Sequence, residues 1–356
     1  STFGVPPIPG VATNPATGAP VIDPSTGTPI PIFVPRTPAG AGQNDDLYEV
    51  ETEAIALFTH NEIDVSPAGT LTVGLRYNHE TKDITEDLNA TLPACDFLQA
   101  NPNVLVELNA AGAGALAGLL CNPAVNTEFN GTYSDDRTEE EVTGTVKYAH
   151  NFTEDVLGYV SYSRGFKSGG YNLDRAAFDA VLFGGDGAQV SDQEFESEIV
   201  DAYELGWKSA FMDGALTVNG AVFFQDVSGF QENIFTGINF RTINSDVESY
   251  GVELDVGATP LDGLLLQGGF AYTKSERQND NLVPDGTGGF DVVARGGEQL
   301  ANVPEYVVTG AATYTVPVSS QFDMELHGNV RWNSEAFLSS IPGLREATKN
   351  DAYALA

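Results

Sequence analysis

The residue types that most often carry chemistry are few in this sequence and lie far apart. The four histidines are His60, His79, His150 and His327, and they show no spacing typical of metal ligands. The sequence contains no phosphate-binding loop motif, no Gly-x-Ser-x-Gly motif and no Cys-x-x-Cys pair. We therefore predict that the protein is not an enzyme, and we expect neither a metal nor a cofactor.

Acidic residues dominate the charge of the chain. The 356 residues include 16 Lys and Arg against 50 Asp and Glu, which gives a formal net charge of −34. The negative electrostatic potential of so acidic a protein repels phosphate backbones, so nucleic acid is not an expected partner. The acidic runs at 45–46, 135–136 and 279–285 lack the ligand spacing of a calcium loop. A solvated acidic surface is the interpretation that we prefer for each of them.

Cys95 and Cys121 are the two cysteines of the sequence. Two cysteines within one connecting segment suit an oxidising compartment better than the cytosol. We predict that they form a disulfide bond, and the alternative is a pair of buried free thiols. The Gly/Ala-rich stretch at 104–121 contains Glu107 and Asn109, which makes it a poor transmembrane helix. A short helix inside a loop is the better interpretation.

Apolar and polar residues alternate through most of the sequence after residue 47. In one such segment Val252 and Leu254 alternate with Glu253 and Asp255. A period of two places the two sets on opposite faces of a β-strand. The strands predicted in this way lie near 48–60, 69–81, 139–150, 156–166, 198–211, 215–228, 246–258, 263–276, 302–316 and 321–333, and an eleventh begins at Tyr353.

The connections between these predicted strands alternate strictly in length. Short turns are expected at 66–69, 151–155, 213–214, 262–263 and 317–320. Long loops are expected at about 82–138, 167–197, 229–245, 277–301 and 334–352. Sorting of loop length by side is typical of outer-membrane barrels, and a soluble sandwich has no physical reason for it. The sequence therefore predicts an all-β fold, a transmembrane antiparallel β-barrel.

In such a barrel the polar positions of each strand face the interior. Nine charged or titratable residues are our candidates for lining it, and the alternative is that they merely hydrate the wall or pair with one another. They are Arg76, Lys147, Glu204, Lys208, Glu253, Asp255, Glu325, His327 and Arg331.

The first 46 residues differ in composition from the rest. They are rich in Pro, Gly and Thr and contain a near-repeat, NPATGAPV at 14–21 and DPSTGTPI at 23–30. Asx-Pro followed by Gly is turn chemistry, and the intervening prolines favour extended backbone. We predict that 1–46 is an elaborated extracellular loop and that 47–356 forms the barrel. The absence of a signal peptide leads us to expect a mature or truncated product.

Several strings of the sequence resemble the barrel of TonB-dependent receptors. The most specific is YSRGFKSGGYN at 162–172, which opens a long loop after a strand that follows a short turn. YELGWKS at 203–209, SYGVEL at 249–254 and NVPEY at 302–306 support it in order and spacing. The resemblance covers about 48–356 and implies roughly ten to eleven strands of a 22-stranded barrel, without the plug domain and the last strands. It also implies that the nine polar candidates meet the plug or the substrate path.

This resemblance implies an active importer in the outer membrane of a Gram-negative bacterium, with its long loops extracellular. Its ligand would be a small, scarce nutrient such as a siderophore, a cobalamin-like cofactor or an oligosaccharide. Its other partners would be outer-membrane lipid and the TonB complex, reached through a plug and TonB box that we expect upstream of this chain. The alternatives are a passive porin-like channel and a structural or adhesive surface protein.

Overall fold

The computed structural model describes residues 8–11, 31–34, 43–110, 115–235, 240–284, 290–341 and 344–355. Within them, eleven strands form one large antiparallel sheet in which sequence neighbours are also spatial neighbours. The strands are β1 Leu47–Ser66, β2 Gly69–Leu88, β3 Gly131–Asn151, β4 Val156–Lys167, β5 Glu198–Phe211, β6 Leu216–Phe235, β7 Phe240–Leu261, β8 Leu264–Arg277, β9 Tyr306–Ser319, β10 Phe322–Asn333 and β11 Tyr353–Leu355. The ten predicted strands and the start of the eleventh at Tyr353 are confirmed.

Short turns join the strands at one end of the sheet and long connections join them at the other. The turn between β5 and β6 is tight, since Met212 and Asp213 both have φ of 55° and Gly214 has φ of 87°. Glycine adopts this left-handed conformation without steric cost, which suits position 214. We call the end of the sheet that carries the long connections the mouth.

Four strands, β2, β3, β6 and β7, extend six to eight residues further toward the mouth than the sequence predicts. The expected loop at 229–245 is wrong, because β6 continues to Phe235 and β7 begins at Phe240. The predicted ends were placed where the apolar alternation stops. Beyond that point the backbone continues to pair, although apolar and polar residues no longer alternate regularly. A register shift between Val227 and Phe230, with Gly229 at φ of 67°, marks the transition.

The register of the sheet separates its side chains onto two faces, because residues paired directly across antiparallel strands lie on the same face. Val222 pairs with Val252, and Val252 pairs with Tyr272. The apolar face defined by this rule includes Leu57, Leu75, Val146, Val160, Leu205, Val222, Val252, Phe270, Val308 and Val330.

These apolar side chains are not covered by a second protein layer. Val252 is 38% exposed, Leu205 is 58% exposed and Leu57 is 78% exposed. A soluble two-sheet sandwich would bury them, since apolar area removed from water is its main source of stability. Val252 is therefore not buried in a sandwich, and the fold is the predicted open portion of an all-β barrel.

The long connections carry short elements of their own. Three helices follow β2, namely α1 Pro93–Ala100, α2 Pro102–Ala110 and α3 Ala115–Leu120, so the predicted short helix in a loop is confirmed. In the part of the chain that the structure describes, no helix is long and apolar enough to cross a membrane. Paired short strands are Ile8–Val11 with Pro31–Val34, Gln43–Asn44 with Ala90–Thr91, Gly170–Tyr171 with Glu194–Phe195, Asn281–Pro284 with Phe290–Ala294, and Ala336–Phe337 with Lys349–Asn350. Single 3-10 turns are Pro123–Val125, Thr127–Phe129, Arg175–Ala177, Val181–Phe183, Val190–Gln193 and Glu346–Thr348.

Candidate functional site

The nine candidate polar residues share one face of the sheet, opposite the apolar face. Lys147 and Glu204 both pair with Ser161, which places them side by side across β4. One continuous row crosses six strands through Lys208, Asn219, Asp255, Gly269, Thr309 and Arg331. The same pairing rule adds Arg76 opposite Thr143, Glu253 opposite Ala221, Glu325 opposite Thr315 and His327 opposite Thr313.

Some of these side chains interact across strands. Tyr159 donates its hydroxyl proton to Glu204 at 2.6 Å, and the Lys147 ammonium lies 4.4 Å from the centre of the Tyr159 ring. His327 Nδ1 lies 2.8 Å from the Thr313 hydroxyl. Arg76 and Arg331 donate from Nε to the asparagine two residues further along, at 2.6 Å and 3.1 Å. The polar face therefore carries charges of both signs, most of them exposed.

Most of the buried side chains of the sheet lie at the mouth and belong to the polar face, whereas Ser209 and Ala221 lie nearer the short turns. On β2 the buried mouth residues are Ile84, Glu86 and Leu88, and on β8 they are Ser275 and Arg277. The register adds Val227, Val247 and Ser249, and Ser245 follows on the same face of β7. The long connections therefore fold inward over the polar face at this end. Sequence reasoning missed this cover, because the connections show no periodicity that would indicate what they pack against.

Arg175 joins three separate parts of the chain beneath this cover. Its side chain is fully buried, and Nε donates to the Asp46 carboxylate at 2.8 Å. Nη2 donates to the same carboxylate, and Nη1 donates to the Asn126 carbonyl oxygen at 2.8 Å. The expectation that Asp46 belongs to a solvated acidic surface is therefore wrong, because a buried guanidinium neutralises it.

Glu86 is a second buried charge-bearing group at the mouth. It lies nine residues beyond Tyr77, the last apolar-face aromatic of β2, which is about 30 Å along a strand. Burial raises the pKa of the Glu86 carboxyl to about 7, and the Asp46 carboxylate also raises it. The Gln193 amide is close enough to lower that pKa, yet it forms no hydrogen bond of acceptable geometry to Glu86.

A third polar network lies between β8 and the connection after β10. Arg277 is fully buried and donates from Nε to Glu232 at 2.8 Å and from Nη2 to the Ser340 hydroxyl at 2.7 Å. Ser340 in turn donates to Glu232. Beside this network runs a groove of about 560 Å³, which is in the size range of small-ligand pockets. Its apolar lining is Phe230, Ile234, Phe240, Leu300, Val303, Leu338 and Ile341.

The disulfide lobe, residues 89–130, contains the predicted bond between Cys95 and Cys121, which is confirmed with a Cα–Cα distance of 4.5 Å. The bond joins the N-terminal part of α1 to the end of α3. It lies in a small apolar core with Leu92, Leu98, Val104, Leu108 and Ala117. Nothing in the described residues groups three or more His, Cys, Asp or Glu in a way that would hold a metal ion.

Taken together, these features define a class of protein. One face of the antiparallel sheet is apolar and uncovered, the other is polar, and inward-folded connections cover the polar face at one end. This is the construction of the wall of an outer-membrane β-barrel.

The comparison with protein families agrees with this assignment. The model of the TonB dependent receptor-like β-barrel family matches residues 13–356, and the chain belongs to this family. It is a family of outer-membrane transport receptors and not of enzymes. The match begins inside the segment 1–46 that we predict to be a loop, and that prediction stays open.

Solved structures show the same fold at low sequence identity. The ferric yersiniabactin uptake receptor FyuA of Yersinia pestis is 14% identical with a TM-score of 0.61, covering 87% of this chain and 38% of that one. The siderophore receptor PiuA of Acinetobacter baumannii is 16% identical with a TM-score of 0.57, covering 86% and 36%. The ferric-catecholate import receptor Fiu of E. coli K12 is 14% identical with a TM-score of 0.54, covering 86% and 38%. The chain thus spans less than two fifths of the length of these receptors.

Proposed function

We propose that this chain forms part of the wall and mouth of an importer that takes up a small, scarce nutrient with energy relayed through TonB. The observation that supports this most directly is the inward packing of the long connections over the polar face. A passive pore conducts through an open lumen, whereas an importer that binds its ligand first needs loops gathered at the mouth.

In this proposal the polar face lines the lumen and the nine candidate residues contact the plug or the substrate path. The apolar face meets outer-membrane lipid, and the long connections and the segment 1–46 are extracellular. Arg76 and Arg331 support the orientation, because an arginine that faced lipid near the midplane would cost about 2–4 kcal/mol.

We propose a siderophore, a cobalamin-like cofactor or an oligosaccharide as the ligand class. FyuA, PiuA and Fiu are named for siderophore or ferric-catecholate uptake, which is why the siderophore stands first. The groove beside Phe230 and Leu338 is our proposed first contact, because it offers apolar walls next to amide and hydroxyl groups.

The decisive test of this function is an uptake assay of the full-length protein in cells with and without TonB. We expect saturable uptake of the ligand when TonB is present and almost none when it is absent, since the energy for moving a plug comes from the inner membrane. A plug-less deletion that conducts ions in planar bilayers would serve as the open-channel control. Equal uptake in both strains would favour a passive channel instead.

Paired substitutions on the two faces test which of them meets lipid. Val252→Arg should reduce the yield of inserted, heat-modifiable barrel, because an arginine in lipid costs about 2–4 kcal/mol near the midplane. Arg331→Glu should leave that yield unchanged and weaken uptake, because the side chain points into the lumen. Normal insertion of Val252→Arg together with failed insertion of Arg331→Glu would reverse the assignment of the faces.

A further inference from the structure

The carboxyl group of Glu86 is enclosed between the wall and the 168–197 connection. Its side chain is 0% exposed, and neither carboxylate oxygen has a hydrogen-bond partner among the described residues. Directly paired neighbours place Tyr48 on one side and Tyr133 on the other. Both tyrosines pack against a cluster of Leu88, Phe129 and Phe178, the last of which belongs to the 168–197 connection. An ionised carboxylate in such a place is disfavoured, because the loss of its water raises the pKa by more than the neighbouring Gln193 amide lowers it.

The charged groups around Glu86 do not offer it a counter-ion. Tyr48 faces it from β1, Asp46 faces it from the segment just before β1, and Tyr133 faces it from β3. Glu128, Asp174 and Arg175 complete the electrostatic surroundings. Arg175 is the one cation in that group, and its donors go to Asp46, Asn126 and Asn130. Gln193 of the connection is also fully buried, and both atoms of its amide lack partners.

The 168–197 connection is otherwise attached firmly at several points. Arg175 holds it to Asp46, the Val181 N–H donates to Glu128 at 2.6 Å, and Asn172 exchanges two hydrogen bonds with the backbone of Thr242. The interface therefore combines strong attachments with one enclosed acid that opposes them when it is charged. Charging this acid would therefore work against the packing of the connection on the wall.

We propose that the 168–197 connection is a pH-responsive cover of the mouth, packed tightly while Glu86 is protonated and loosened when Glu86 ionises. The proposal rests on the proposed function only in treating this end of the sheet as the transport mouth. The Arg175–Asp46 pair keeps the cover attached in both states, so ionisation loosens the cover around Gln193 and Phe178 without releasing it.

The direction of the effect follows from the pKa of Glu86, which burial raises from 4.5 to about 7 in the closed state. A proton therefore binds Glu86 more tightly in the closed state than in the open state, where contact with water restores the ordinary pKa of the carboxyl. The extra stability of closure is full below about pH 4.5 and is lost as the pH rises to 7. A pKa difference of this size corresponds to a change of roughly two orders of magnitude in the open-to-closed ratio.

Hydrogen–deuterium exchange of the full-length protein at pH 5 and pH 8, corrected for intrinsic rates, tests the cover directly. We expect protection of amides in 168–197 and 84–88 to fall by about 10- to 100-fold from pH 5 to pH 8. The band at 142–148 should stay equally protected at both values. Equal protection of the cover at both pH values would overturn the proposal.

Variants separate Glu86 from other titrating groups of the cover. Glu86→Gln and Glu86→Met should each show at pH 8 the high amide protection that the wild type shows at pH 5. Two neutral variants are used so that the test still holds if one of them folds poorly. Asp192→Asn is the matched control, because burial raises the pKa of Asp192 to about 6 in the same connection. That control should retain most of the pH dependence. A neutral Glu86 variant with the full wild-type dependence would refute the role of Glu86, whatever the outcome of the TonB assay.

Discussion

Arg175→Ala is expected to lower the free energy of local unfolding of the mouth connections by about 3–5 kcal/mol. This is the usual cost of leaving one partner of a buried ion pair alone. Asp46 would keep a hydrogen bond from the Asn89 N–H at 2.9 Å but would lose its counter-charge. The Asn126 carbonyl would lose a donor in the same substitution. Limited proteolysis and local hydrogen exchange over 43–46, 89–130 and 168–197 would measure the loss.

The partly exposed pair between Lys349 and Glu335 provides the matched control. Its atoms approach to 2.8 Å, but both side chains reach solvent, with exposures of 28% and 59%, so Lys349→Ala should change protection of the mouth far less than Arg175→Ala. The double variant Asp46→Asn with Arg175→Met should recover part of the loss, because it removes both charges together. Protection of Arg175→Ala equal to that of the wild type would mean that water already reaches this pair.

Removal of the disulfide by Cys95→Ala with Cys121→Ala is expected to destabilise the disulfide lobe by about 3–4 kcal/mol in the chain-entropy treatment of a loop of this length. The sequence separation is 26 residues, and both sulfur atoms lie in the apolar core of the lobe. Faster amide exchange and faster proteolysis within 89–130 would report the loss. Insertion of the barrel should be unaffected.

Reduction of the wild-type protein gives an independent test of the same bond. Treatment with a thiol reductant should increase proteolysis of 89–130 to the level of the double alanine variant and leave that variant itself unchanged. A reductant effect on the variant would show that the reagent acts elsewhere. An unchanged wild type would show that the helices of the lobe hold together by packing alone.

The strands of this protein were predictable from sequence because lipid and the polar face impose a strict period of two. Val252 and Glu253 alternate for that reason, and a slip of one residue would exchange every side chain between the two faces. The disulfide was predictable because two cysteines in one connection leave few alternatives. The order of short turns and long connections was predictable because turn residues such as those at 213–214 are local signals.

The buried groups of the mouth were not predictable in the same way. Asp46 and Arg175 are 129 residues apart in the sequence and belong to connections with no periodic pattern. Each looks like an ordinary charged loop residue until the connections are packed together. The extension of β6 to Phe235 was missed because strands that leave the membrane no longer show apolar alternation. The role of the nine polar-face residues stays a prediction, since their register places them but does not reveal what they contact.

The three-way junction at Arg175 has a consequence for how this protein can be re-engineered. One guanidinium bridges the 43–46, 89–130 and 168–197 segments. Exchanging 43–46 or 168–197 alone with a segment that lacks the matching charge leaves a buried charge unpaired, and exchanging 89–130 alone displaces the oxygen atoms that accept from Arg175 Nη1. Chimeras made one loop at a time should therefore misfold at the mouth even where the barrel inserts. Transplanting all three segments as a single cassette would keep the junction intact and move the binding surface as a unit.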